Sequence, residues 1–221
     1  MSARRAETIG LFRTLGVVLR SPVPPAFRSA LAFGWLVLLL FLVQVFTGIL
    51  LSLYYQPSPA TVAESVQFIM RDVDWGWLIR GLHHWASHAL ILLLVGRLTY
   101  VMIKGRYRAG GATGWYLTIL LLWLMVISTY SGELLAWDNE AFWRATRVLD
   151  RIEVLPLIGH GLATILRGGA DVSATTLGRT YTAHSLFVPW LIWLLLVLNI
   201  WFLFRRIQAR KGTQAREGGA A

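Results

Sequence analysis

The sequence predicts an all-α integral membrane protein, a four-helix bundle with a long helical external loop between its third and fourth spans. Three observations lead there. Hydrophobic residues make up 56% of the chain, with eleven Trp and a mean hydropathy of +0.58, far from the composition of a soluble domain. Four segments, 30–54, 77–103, 114–135 and 184–204, exceed the roughly 20 apolar residues a helix needs to cross the hydrocarbon. Finally, Lys and Arg segregate by side: Arg4, Arg5, Arg13, Arg20, Arg28, Lys104, Arg106, Arg108, Arg205, Arg206, Arg210, Lys211 and Arg216 all fall together when there are four spans, which marks the cytoplasmic face. The opposite side has seven Arg against nine acids, so the net charge of +10 is mostly membrane topology. No soluble basic face of the kind that binds nucleic acid is expected.

Residues 1–29 read as a basic cytoplasmic segment with a short interfacial helix around Ile9 to Leu19, ending in SPVPPAF. The start, MSARRAETIGLFRTLG, has no long apolar core followed by a small-residue cleavage site, so no removed signal peptide is expected and both termini are placed in the cytoplasm. The membrane domain is expected over 30–205, with a basic tail at 206–221. In the first span, Gly34 and Gly48 are fourteen residues apart, about 21 Å along one helix face, and permit either helix packing or the approach of a flat cofactor. An external connection follows, with Pro57 and Pro59 as breakers and a short helix at 62–70. The second span carries Arg80, His83, His84 and His88 near its outer end. The third follows the basic loop KGRYRAGGATG and ends near Gly132 and Glu133. Between 137 and 180, Phe142, Trp143, Val148, Leu149 and Ile152 recur at helical spacing, while Pro156, Gly159, Gly161, Gly168 and Gly169 divide the segment, which predicts short helices lying in the outer interface. The fourth span opens on His184, with Pro189 just after it.

His83 and His184 enter their spans from the same side and at matching depth. Ionisable side chains are costly in lipid unless they face a partner or a cofactor. Two readings stand: packing or hydrogen-bonding residues, or a pair of axial imidazoles clamping a haem. The chain has no Cys, which excludes disulfides, thiolate metal sites and thioether attachment of haem by this chain. His84 and His88 form an i,i+4 pair on another face and read as supporting polar residues, because a metal site there would need further ligands. Arg80 has two readings as well, snorkelling to the interface or pairing with an anionic group such as a propionate.

The stretches FLVQVFTGILLSLYYQPSPATVAESVQFIMRDVDWGWLIRGLHHW, LLAWDNEAFW and LPLIGHGLATILRGGADVSATTLGRTYTAHSLFVPW resemble the N-terminal haem-binding half of cytochrome b. The likeness is strongest to the short, split cytochrome b of the chloroplast and cyanobacterial quinol-oxidising complex. The resemblance implies haem b between the second and fourth spans, with His83 and His184 as axial ligands, Arg80 near a propionate, and Gly48 and Gly132 admitting the group. Gln44 falls on the same family pattern. It also implies partner subunits in an electron-transfer complex: a separate C-terminal cytochrome b-like subunit and a cytochrome c or iron–sulfur protein. Quinone is a second candidate ligand, and the membrane is either the inner (cytoplasmic) or a photosynthetic one.

The departures from the family change the expected haem count. The family has a second histidine fourteen residues after the first on the second span, and another fourteen or fifteen after the first on the fourth. Here those positions are Arg97, and Leu198 or Asn199. Arginine stays protonated and is no ordinary haem ligand. Thr118 replaces the inner glycine of the third span, Ala32 stands where the chloroplast-type protein attaches an extra haem through Cys, and the family's LPW turn beside the outer quinol pocket is Leu135-Ala136-Trp137, with Glu133 and His160 nearby. One outer-face haem is therefore expected, in an electron-transfer subunit rather than a stand-alone enzyme. The rival expectation is a non-redox degenerate cytochrome b that anchors partner subunits.

Overall fold

The computed structural model describes residues 25–108 and 112–218; the interfacial helix expected around Ile9 to Leu19 lies outside them. Eight α-helices are described: α1 (Pro25–Ser52), α2 (Val62–Arg71), α3 (Gly76–Ile103), α4 (Ala112–Leu134), α5 (Asn139–Glu153), α6 (Gly159–Arg167), α7 (Ala174–Thr182) and α8 (Val188–Gly218), with a π-helical turn at Ala183–Phe187 between the last two. Four helical stretches are long and apolar enough to cross a membrane: Phe27–Ser52, Gly76–Ile103, Ala112–Leu134 and Ala174–Arg210. The protein is a multi-pass, all-α membrane protein.

Residues 33–203 form one compact unit. Its centre is a cluster of buried side chains: Val37 and Phe41 of α1, Leu90 and Leu94 of α3, Leu121 and Met125 of α4, and Val188, Ile192 and Leu196 of α8. On each helix these residues recur every four positions, a spacing that keeps them on one helix face. Outward faces stay apolar as well, with Leu92, Trp123 and Trp190 all exposed, as spans facing lipid or neighbouring helices require. Among the described residues, 25–32 and 204–218 belong to a second compact unit, in which Phe27 and Ile207 are buried and the Arg206 guanidinium lies 5.9 Å from the centre of the Phe27 ring.

The helical path of the fourth span begins ten residues before the expected His184, at Ala174. Local chemistry accounts for this. The Ser173 N–H donates to Thr176 Oγ1 at 3.0 Å, which caps α7. The π turn then links α7 to α8, with the Val188 N–H reaching back to Ala183 O. Pro189 has no N–H to donate and its ring crowds the carbonyl four residues earlier, and a π turn is a common accommodation within a continuous helix.

Between the third and fourth spans, α5 starts at Asp138, whose carboxylate accepts from the Ala141 N–H at 2.7 Å and so satisfies an orphan donor. Its Ala141, Ala145 and Leu149 are buried at i, i+4 and i+8. Arg167, at the end of α6, donates to Asp150 Oδ1 at 3.1 Å and to Glu153 Oε2 at 2.9 Å, tying α6 to α5. The segment predicted as short helices thus holds α5 and α6, and its last part, α7, opens the fourth long helical stretch.

Candidate functional site

Phe41, Gly48, Val37 and Gly34 on α1 continue through α3, α4 and α8 as matching ladders of side chains. His83, Leu90, Leu94 and Arg97 run down α3; Gly132, Met125, Leu121 and Thr118 run up α4; His184, Val188, Ile192, Leu196 and Asn199 run down the fourth span. From His83 to Arg97 is fourteen residues, and from His184 to Asn199 is fifteen. The π turn inserts the additional residue. Asn199, not Leu198, is therefore the counterpart of Arg97 on the fourth span, and Thr118 Oγ1 lies 3.4 Å from its Oδ1.

At the His83 and His184 end of these ladders is a cavity of about 500 Å³, within the ordinary range of small-molecule and cofactor sites. His83, His184, Arg80, Gly48, Gly132 and Gln44 all line it, together with His84, Glu133, Arg144 and Tyr55. His160 lies elsewhere, on α6, with Nδ1 3.3 Å from Glu153 Oε1. The His84 and His88 rings lie 4.7 Å apart between centres with their planes tilted by 49°, and His88 Nδ1 sits 2.9 Å from the His84 carbonyl oxygen. Among the described residues no group of three or more His, Cys, Asp or Glu could hold a metal ion.

The two histidine rings of α3 and the π turn face one another with centres 6.2 Å apart and planes at 74°. Each Nδ1 is occupied. Thr47 donates its hydroxyl proton to Val43 O at 2.7 Å, so its oxygen accepts from His83 Nδ1–H at 2.9 Å. His184 Nδ1 lies 3.0 Å from Ser128 O and 3.1 Å from Ser131 Oγ; a carbonyl can only accept, so this nitrogen carries the proton. Both rings are thereby held in the Nδ1–H tautomer, leaving each Nε2 lone pair free.

Glycine makes the approach of these rings feasible. A Cβ on Gly132 would stand 2.8 Å from His184 Cε1, and one on Gly48 would stand 3.2 Å from His83 Cε1. Around Gly34 no heavy atom lies within 4 Å of such a Cβ, so the two glycines of α1 differ in role: only Gly48 makes room for an imidazole.

The rim is polar. Glu133 pairs with Arg144 of α5, which also pairs with Glu140; the Glu140 hydrogen bond, foremost, and the nearby carboxylates raise the Arg144 guanidinium above its ordinary value. Tyr55 donates to Leu135 O at 2.8 Å and stacks on Tyr181 at 5.4 Å. Burial, then Tyr181, pushes the Tyr55 phenol above its ordinary range, so it remains a donor. The altered turn ends at Trp137, whose φ of 48° is left-handed. Arg80 Nη1 lies 3.9 Å from Met70 Sδ.

These features fit a flat metal macrocycle held from both faces. Two metal–imidazole bonds of about 2 Å each would take up about 4 Å of the 6.2 Å between ring centres. Gln44 Oε1 and Thr129 Oγ1, both from cavity-lining residues, are buried without a hydrogen-bond partner among the described residues, and are available to a bound group. Thr47, Ser128 and Ser131 were not singled out by the sequence: a Thr or Ser in a span ordinarily bonds its own helix's carbonyls, and nothing in the residue type tells that its oxygen also receives a histidine.

Residues 18–207 match the family model for cytochrome b/b6/petB. The chain is 33% identical over 190 residues to cytochrome b6 of Synechococcus elongatus, covering 86% of this chain and 87% of that protein. It is 34% identical over 190 residues to cytochrome b6 of Cyanidium caldarium, with the same coverage of 86% and 87%. Among solved structures, a chain of a hyperthermophilic respiratory Complex III superposes with a TM-score of 0.74 at 24% identity, covering 91% of this chain. The present chain spans about half, 53%, of that one, and the likeness speaks for the fold.

Proposed function

The chain belongs to the cytochrome b/b6 family, and from that premise we propose that it is a membrane electron-transfer subunit carrying one haem b near the outer face, ligated by Nε2 of His83 and of His184. Its role is to pass electrons between a quinone pool and a partner redox subunit within a larger complex, in an inner or photosynthetic membrane with both termini cytoplasmic. The observation that carries this reading is the facing pair of imidazoles 6.2 Å apart, each with its Nδ1 engaged.

Haem supplies one-electron chemistry when bound. The chain's own residues do the rest. His83 and His184 would hold the iron of a bound haem; Thr47, Ser128 and Ser131 orient their rings; Gly48 and Gly132 make room for them. Arg80 lines the cavity and would place positive charge beside a propionate, while Arg144 is already engaged by Glu133 and Glu140. Leu90, Met125, Val188 and Ile192 form part of the apolar cluster that excludes water below.

The single-haem assignment rests on the inner ends of the ladders. Arg97 and Asn199 stand at the second pair of ligand positions, the Thr118 hydroxyl lies 3.4 Å from Asn199 Oδ1, and Leu94, Leu121 and Leu196, near them along their helices, are buried in the apolar cluster. The test is spectroscopic, on the protein purified from membranes. His83→Ala and His184→Ala should each abolish the reducible b-type absorbance, whereas its persistence in a double variant would show that these residues are not the ligands.

A further inference from the structure

Resting on the ligand assignment above, we propose that Thr47 is the positioning residue of the His83 side, setting the ring's tautomer and rotation and thereby the redox potential of the iron it binds. Thr47 is 3% exposed, and its hydroxyl proton is directed to Val43 O at 2.7 Å, nearer than Gln44 O at 3.3 Å. The remaining oxygen lone pair meets His83 Nδ1 at 2.9 Å. A chain of donation therefore runs from imidazole N–H to hydroxyl to backbone carbonyl, and successive hydrogen bonds of this kind polarise one another. A ring whose N–H is bound in this way is a stronger donor to its metal, which favours the more oxidised state. The next residue, Gly48, stands against His83 Cε1, so two successive positions on α1 clamp the ring.

The two axial rings differ in what holds them. On His184 the Nδ1–H lies 3.0 Å from the Ser128 carbonyl as well as 3.1 Å from Ser131 Oγ, and substitution of Ser131 leaves that carbonyl in place. His83 has the Gln44 backbone near it as well, but the contact at 2.9 Å is to a side-chain oxygen, which a single isosteric change removes. Thr47 is thus the more adjustable of the two supports, and Ser131 its built-in control.

The experiment is an equilibrium redox titration of the b-type absorbance, with low-temperature EPR of the oxidised form, on the full chain purified from membranes as wild type, Thr47→Val, Thr47→Ser and Ser131→Ala. Thr47→Val should raise the midpoint potential and move the low-field EPR line. Thr47→Ser, which keeps the hydroxyl, should stay near wild type, and Ser131→Ala should shift less than Thr47→Val. If Thr47→Val loses its haem while keeping its helix content and Thr47→Ser retains it, the proposal stands on haem retention instead. An unchanged potential and EPR line in Thr47→Val, or equal effects of Val and Ser, would overturn the role of Thr47 while leaving the ligand assignment intact. Wild-type protein without haem, or haem that survives His83→Ala, would instead overturn the assignment itself.

Discussion

His83 and His184 meet across the bundle with their ring centres 6.2 Å apart and their planes at 74°. Neither ring rests on its own helix: His83 is fixed by Thr47 of α1 and His184 by Ser128 of α4. All four membrane-crossing stretches therefore contribute to one site, and the separation of two rings depends on contacts made by two other helices.

Glycine substitution should rank by clearance. A Cβ at Gly132 would lie 2.8 Å from His184 Cε1 and one at Gly48 3.2 Å from His83 Cε1, while at Gly34 no heavy atom lies within 4 Å. Overpacking of this kind costs about 1–3 kcal/mol. Haem per polypeptide, measured after purification, should fall most in Gly132→Ala, less in Gly48→Ala, and stay at the wild-type level in Gly34→Ala. An equal loss in all three would contradict the geometry.

Glu133→Gln breaks the pairing with Arg144, in which the two side chains are 32% and 30% exposed. Partial solvation limits its worth to about 1 kcal/mol or less. Protection of α5 in hydrogen exchange should drop a few-fold. Arg144→Ala should do little more, because Tyr130 donates to the Arg144 backbone oxygen at 3.1 Å and that bond survives the substitution. Glu140→Gln, whose side chain is 75% exposed, should be close to silent.

Acid should loosen the junction of α5 and α6. The hydrogen bond from Arg167, then that from His160, holds the Glu153 carboxyl below its ordinary value. A carboxylate depressed in the folded state contributes stability that is present above its ordinary range and is lost as pH falls through the folded value. Exchange protection over residues 150–168 should therefore decrease as the pH is lowered through and below the ordinary carboxylate range, and Arg167→Met should flatten that dependence. A junction equally protected at both ends of the titration would count against the ion-pair account.

At the level of Arg97 and Asn199, Thr118→Val removes a hydroxyl that lies 2.7 Å from Gly114 O and 3.4 Å from Asn199 Oδ1. Interhelical hydrogen bonds in membranes average about 0.6 kcal/mol, so thermal stability should fall slightly and haem content should not change. A loss of haem here would mean that this level takes part in cofactor binding.

Much of this was legible in the sequence, for physical reasons. Apolar runs longer than the hydrocarbon thickness reveal spans, and side chains fourteen residues apart return to one helix face, so His83 and Arg97, or Gly48 and Gly34, could be related by counting. Counting stopped at the fourth span, where Leu198 and Asn199 stood as alternatives. A π turn adds a residue to the path without leaving a strong sequence signature beyond Pro189, and only the Thr118–Asn199 contact selects between them. Long-range polar contacts were equally hidden: nothing in the spacing tells that Thr47 meets His83, or that Glu133 reaches Arg144 across a turn ending in a left-handed Trp137.

The central claim is a count, and the most direct measurement is the pyridine haemochrome of the purified protein, expressed as b haems per polypeptide. With His83 and His184 at one level, and Arg97 and Asn199 at the other, the ratio should be one. A ratio of two would contradict the account.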